Sequence, residues 1–144
     1  MEKTSEIRPF LIAPCGMNCA VCRAHLRKRN PCPGCNAANV NKSAHCIQCR
    51  IKNCRELKKT RSGLCLDCAQ FPCVLLQHLD QRYRTKYGMS VIENLETIQS
   101  RGMNAFVKRE RSRWKCSKCG EILCVHSEVC LSCGAKFKKK VYFS

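Results

Sequence analysis

Sixteen cysteines carry the chemistry open to this chain. Most fall in close pairs. Two reduced thiols at C-x2-C spacing can chelate one metal ion, because the turn between them brings both sulfurs to one side. The tail holds the clearest case, with "CSKCG" at Cys116–Gly120 and "CLSCG" at Cys130–Gly134. Each pair ends in a glycine that permits the tight turn around the sulfurs. Ten residues separate the knuckles, room for a short hairpin. The pattern predicts a zinc ribbon with Cys116, Cys119, Cys130 and Cys133 in a closed tetrahedron. Such a site supplies folding energy and has no open position for catalysis. Cys124, between the knuckles, reads as a small buried hydrophobe on a strand, or as a ligand lent to the head.

The first 73 residues hold eleven further cysteines. "CGMNCAVC", from Cys15 to Cys22, has the C-x3-C-x2-C spacing with which radical S-adenosylmethionine enzymes hold three corners of an iron–sulfur cluster. Those enzymes need a partial α/β barrel, and barrels run to about 200 residues or more. A chain of 144 residues with no βαβα pattern excludes that class. More C-x2-C pairs follow at Cys32/Cys35, Cys46/Cys49 and Cys65/Cys68. The simplest partition puts Cys19, Cys22, Cys32 and Cys35 on one ion, and Cys49, Cys65 and Cys68 on another with Cys46 or Cys54. Cys15, Cys54 and Cys73 are then left over. Three thiols can leave a coordination position open, for an exchangeable ligand or an exposed iron. With Cys124, or a histidine such as His25 or His45, they would instead close a third structural site. Three to four zinc ions are expected, with an iron–sulfur cluster at one head site as the alternative.

These ligands need a scaffold, and the apolar content is thin: Leu, Ile, Val and Phe number 31 of 144 residues. Metal sites must supply the missing constraint. Between residues 74 and 115 there is no cysteine, and the pattern is helical. Leu75, Leu79, Tyr83 and Tyr87 recur every four residues, and Gly88 marks a stop. "SVIE" at Ser90–Glu93 is a capping box that opens a helix carrying Val91, Ile92, Leu95 and Ile98. Gly102 breaks it, and Met103, Phe106 and Val107 start another that ends near Trp114. His78, off the apolar stripe, reads as a solvated helix residue. In the head, Cys19–Asn30 and Arg50–Gly63 are each expected to form a short helix, the first ended by Pro31. The fold expected is a small metal-stabilised α-rich protein. It comprises an irregular cysteine-rich head (1–73), a helical segment packed on it (74–115), and a zinc-ribbon hairpin with a basic tail (116–144).

The formal charge is +17. A zinc ion held by four thiolates carries a local charge of −2, so three sites would lower the total to +11 and four to +9. The surface stays basic either way and should attract polyanions, RNA or DNA first among them, directly or through a nucleic-acid-bound protein. Candidate contacts are Arg27, Lys28 and Arg29, then Arg109, Arg111, Arg113 and Trp114, then Lys138 and Lys139 within "KFKKK" at Lys136–Lys140. Trp114 and Phe137 could stack on bases. Catalytic clusters of histidines and carboxylates are lacking, which leans against an enzyme. The N-terminal stretch has only four consecutive apolar residues, Phe10 to Ala13, where a secretory signal needs roughly 7–15. No run approaches a membrane span. A cytoplasmic protein with reduced thiols and no membrane partner is expected.

The motifs "CGMNCAVC", "CPGC", C-x4-C at Cys49–Cys54, "CLDCAQFPC" and "ENLETIQSRGMNAFV", followed by the ribbon, resemble the bacterial and archaeal cysteine-rich domain-of-unknown-function family 3795. The resemblance spans roughly residues 13–134, and Cys46 and Cys124 depart from its pattern. It implies a small cytosolic metal-binding protein and no particular reaction.

Overall fold

Helices form where the apolar stripes and their stop signals put them. The computed structural model describes residues 6–139, apart from the side chain of His45. Two single-turn helices, α1 (Arg23–Leu26) and α2 (Ala44–Ile47), lie in the head, and three longer ones follow: α3 (Val74–Tyr87), α4 (Val91–Arg101) and α5 (Met103–Arg113). Gly88 ends α3 in the left-handed conformation, at φ +65°. Ser90 caps α4, its Oγ accepting from the Glu93 N–H at 3.0 Å. The Glu93 carboxylate is engaged by the Arg109 guanidinium (3.0 and 3.3 Å) and the Thr97 hydroxyl (2.8 Å), so it braces α4 against α5. Buried Asp80 of α3 accepts from the Ser90 hydroxyl (2.7 Å) and the Ile92 N–H (2.9 Å), which fixes the α3–α4 corner.

The head is less helical than its sequence suggests. Residues 19–30 give a 3-10 turn at Cys19–Val21 followed by α1, and residues 50–63 give only a 3-10 turn at Glu56–Lys59. The reason is apolar surface: between 50 and 63 only Ile51 and Leu57 are buried apolar anchors, too few to repay a longer helix. Among the described residues no strand forms, only isolated bridges at Ile12↔Asn18, Lys115↔Ile122 and Val129↔Lys136.

One core joins the parts. Ile7, Leu11, Ile12 and Val21 from the head pack with Leu76, Met89, Leu95 and Phe106 from the helices and with Trp114 and Val125 from the tail. A carboxylate sits inside it. Glu110 of α5 is fully buried; its Oε1 accepts from Asn18 Nδ2 and Trp114 Nε1, each at 3.0 Å, and its Oε2 lies 3.4 Å from Arg113 NH1. Asn18 stands in "CGMNC", and its own Oδ1 accepts from the Ala20 N–H (3.0 Å) to shape the turn that carries Cys19. The same loop touches α4 through Gly16, whose carbonyl accepts from Asn94 Nδ2 at 2.9 Å. Gly16 has φ +93°, and a Cβ there would lie 2.5 Å from the Val91 carbonyl oxygen. Only glycine fits.

Two substitutions test this arrangement. Glu110→Ala withdraws the shared acceptor from Asn18, Trp114 and Arg113 together, and should cost about 3–5 kcal/mol in urea unfolding. Gly16→Ala combines backbone strain with overpacking and should cost about 2–4 kcal/mol. Unchanged unfolding midpoints would show that neither contact matters.

Candidate metal centres

The C-terminal centre is built from two repeats of one turn. The Cys116 N–H donates to the Glu121 carbonyl (2.8 Å) and the Gly120 N–H to the Cys116 carbonyl (2.9 Å). The Cys130 N–H to Ala135 and the Gly134 N–H to Cys130 repeat this, both at 2.8 Å. Gly120 and Gly134 take φ +80° and +79°, where a side chain would be strained. The turns bring Cys116 Sγ to 3.7 Å from Cys133 Sγ and Cys119 Sγ to 3.6 Å from Cys130 Sγ. All four sulfurs lie within 4.8 Å of one another. A tetrahedral ion with metal–sulfur bonds of about 2.3 Å separates its sulfurs by about 3.8 Å. A disulfide needs about 2.05 Å. The spacing and the donor set therefore fit one metal ion. Backbone N–H groups of Cys119 and Lys118 pull the Cys116 thiol down to about 6, which favours the ligating thiolate. The ribbon has a single bridge per knuckle where a hairpin is expected, because each turn is closed by only a pair of hydrogen bonds.

Among the described residues no other set of side chains meets that 4.8 Å criterion, yet the head thiols fall into groups. Cys54, Cys65, Cys68 and Cys73 line one cavity of ≈ 30 Å³, walled otherwise by apolar residues including Ile51, Leu57, Phe71 and Leu76. Burial pushes the Cys65 thiol up to about 12, with further rises from Cys73, Cys68, Cys54 and Cys49. Beside this group the Cys65 N–H donates to the Pro14 carbonyl (2.9 Å), next to Cys15. Burial raises the Cys15 thiol strongly, and Cys35, Cys65 and Cys49 add to it. The Cys19 thiol donates to Cys35, which lowers Cys35 to about 6 with help from the Lys42 and Lys52 charges. Cys15, Cys19 and Cys35 thus neighbour one another, and Cys49 lies near both Cys15 and Cys65. Cys22 feels Cys32 and Cys124 instead.

These neighbours differ from the nearest-pair partition, in which Cys19, Cys22, Cys32 and Cys35 share one ion. Cys54 and Cys73 line the same cavity as Cys65 and Cys68. Cys19 is buried at 6% exposure in the "CGMNC" turn, while half-buried Cys22 caps the start of α1. The density of "CLDCAQFPC", with Cys65, Cys68 and Cys73 in nine residues, is the sequence signal that nearest pairing overlooked. Cys46 is half-buried, with no structural grouping assigned to it. Cys124 is fully buried as expected but lies in a loop, not on a strand.

The basic residues separate in a similar way. Trp114 is 1% exposed and donates its Nε1–H to Glu110, so it offers no face to a base. Arg113 is 3% exposed beside Glu110, and Arg109 is engaged with Glu93. Arg113 and Trp114 turn inward to buried Glu110, and Arg109 lies against half-buried Glu93. Arg27, Lys28, Arg29, Arg111 and Lys138 are exposed. Arg27 is tied to the carbonyls of Asn30 and Asn41 (3.0 and 2.9 Å), and Arg111 to that of Ile7 (3.0 Å). A second, wider groove of ≈ 660 Å³ is lined by Lys86, Lys136, Lys138 and Lys139 with Tyr87 and Phe137. The Lys139 ammonium sits 5.8 Å from the Tyr87 ring centre. His78 is exposed, in keeping with a solvated helix residue. Among the described residues no helix is long and apolar enough to cross a membrane.

Residues the sequence did not single out hold the centres in place. Asn18 and Glu110 fix the turn of Cys19, and no spacing rule marks a lone Glu within a run of basic residues. Compared with known proteins, no curated protein and no solved structure matches the chain. A family model described as "Protein of unknown function (DUF3795)" matches residues 11–78. The match covers the head and the first residues of α3; α4, α5 and the ribbon lie beyond it, short of the resemblance expected to reach residue 134. Residues 11–78, a little under half of the chain, are therefore similar to the DUF3795 family.

Proposed function

We propose that this is a multi-site zinc protein in which the ions organise a small basic body for binding, with no catalytic centre. The observation that carries it is the set of four ribbon sulfurs, spaced for a tetrahedral ion. Two head sites are proposed on the same chemistry: Cys54, Cys65, Cys68 and Cys73 around their shared cavity, and Cys15, Cys19, Cys35 and Cys49 beside it. Buried thiols gathered this closely are a set whose ionised form a divalent cation stabilises. A cavity of ≈ 30 Å³ suits a single ion better than a multi-iron cluster. In this reading the head, helices and ribbon are three parts of one body in a reducing, cytoplasmic setting.

The binding surface we favour is the lysine groove, with single-stranded nucleic acid as its occupant. Four lysines would follow the phosphates while Tyr87 and the half-buried Phe137 offer rings to bases. Arg27, Lys28, Arg29 and Arg111 would extend the basic field.

Elemental analysis of anaerobically purified protein should give about three or four zinc ions per chain and no acid-labile sulfide. Iron with sulfide, and brown colour, would replace this reading with a cluster protein. Stripping the metal with a strong chelator should abolish cooperative unfolding, and zinc should restore it. Filter binding to single-stranded RNA at two salt concentrations should show affinity falling with salt. The double variant Lys138→Ala/Lys139→Ala should reduce that log–log slope by about 1.4. Salt-independent or absent binding would remove the nucleic-acid part of the proposal and leave the metal part standing.

A further inference from the structure

Cys124 belongs to neither the four ribbon sulfurs nor the two head groups, and it is fully buried. The backbone around it is docked on the head. The Val125 N–H donates to the Val21 carbonyl at 2.8 Å. Beyond it, the Arg23 N–H donates to His126 Nδ1 at 3.3 Å, and the Arg23 guanidinium donates to the His126 carbonyl at 3.3 Å. These contacts bracket Cys22 and bring it against the segment that carries Cys124. Cys32 is tied to the same corner, its N–H donating to the Ala24 carbonyl at 2.9 Å.

A histidine completes the set. His25 Nδ1 lies 2.6 Å from the Cys32 carbonyl oxygen. A carbonyl only accepts, so Nδ1 carries the hydrogen and Nε2 keeps its lone pair. That is the tautomer of a metal-ligating histidine, and a backbone carbonyl on the other nitrogen is its usual support. His126 has the opposite arrangement: its Nδ1 accepts from Arg23, which puts the hydrogen of the neutral ring on Nε2 and removes that nitrogen as a ligand. Cys22 and His25 also stand at knuckle spacing, two residues between them.

We propose that Cys22, His25, Cys32 and Cys124 form a zinc site of three thiolates and one imidazole that fastens the C-terminal ribbon to the head. The site rests on the reading that this chain binds zinc through its cysteines. It goes further by giving Cys124 and His25 a shared role. The four ligand atoms stand wider apart than the ribbon sulfurs, so closing the site would require side-chain rotation around the ion. Three ligands come from within residues 11–78 and the fourth from beyond them, so the ion joins the family segment to the sequence that follows it.

The test uses the full chain, with zinc content and the rate of zinc release to a chelator as readouts. Cys124→Ser should carry one zinc fewer than the parent. His25→Gln should render one zinc equivalent about 10-fold or more faster to remove, and His25→Cys should restore slow release by converting the site to four thiolates. If Cys124→Ser fails to fold, the two His25 variants decide. Parent-like zinc content and release in Cys124→Ser, or parent-like release in His25→Gln, would overturn this site alone. A parent protein purified without any bound metal would overturn the metal reading on which it rests.

Discussion

A single buried carboxylate holds the parts of this protein in register. Glu110 receives Asn18 from the cysteine-rich head, Trp114 from the entrance to the ribbon and Arg113 from its own helix. A charge in the core is tolerated only when its lone pairs are met by good donors, and these three meet them. Because Asn18 also shapes the turn that carries Cys19, the position of a head thiol depends on a residue more than ninety positions away in sequence. Neither the thin apolar core nor the short head turns could fix that turn alone.

Around this anchor the thiols present an electrostatic problem. Burial alone raises Cys15, Cys22 and Cys65, and their neighbours raise them more. Partial relief comes from Lys42 and Lys52 near Cys35, and from backbone N–H groups at Cys116. Some of the excess of basic residues therefore serves the sulfurs, half-buried Lys139 near Cys124 included, while Lys86, Lys136 and Lys138 of the groove are exposed.

The helices were legible because Leu75, Leu79, Tyr83 and Tyr87 share a stripe and Gly88, Ser90 and Gly102 punctuate it. The ribbon was legible because its ligands are local: two short turns with a glycine each make the site, and little else is needed. The head was not. Which of Cys19 and Cys22 faces which partner is decided by tertiary contacts, with Asn18 on Glu110 and Val21 on Val125, and nearest-neighbour spacing carries no record of them. Trp114 and the arginines near it were misread for a related reason. A run of basic residues looks like a solvated face until a buried Glu among them turns one side of the helix inward.

The proposed splitting of the first knuckle has a consequence for how the chain would be made. With Cys19 and Cys35 in one site and Cys22 and Cys32 in another, the two sites are nested along the polypeptide and neither closes from adjacent residues. During synthesis from the N-terminus, Cys15 would wait until Cys49 has emerged, and Cys22 until Cys124 has. The ribbon, by contrast, can close within eighteen residues of its own. Nascent chains would then pass through a stage in which the head thiols are exposed and uncommitted. The order in which partners appear, as much as their chemistry, would govern which sulfurs find each other.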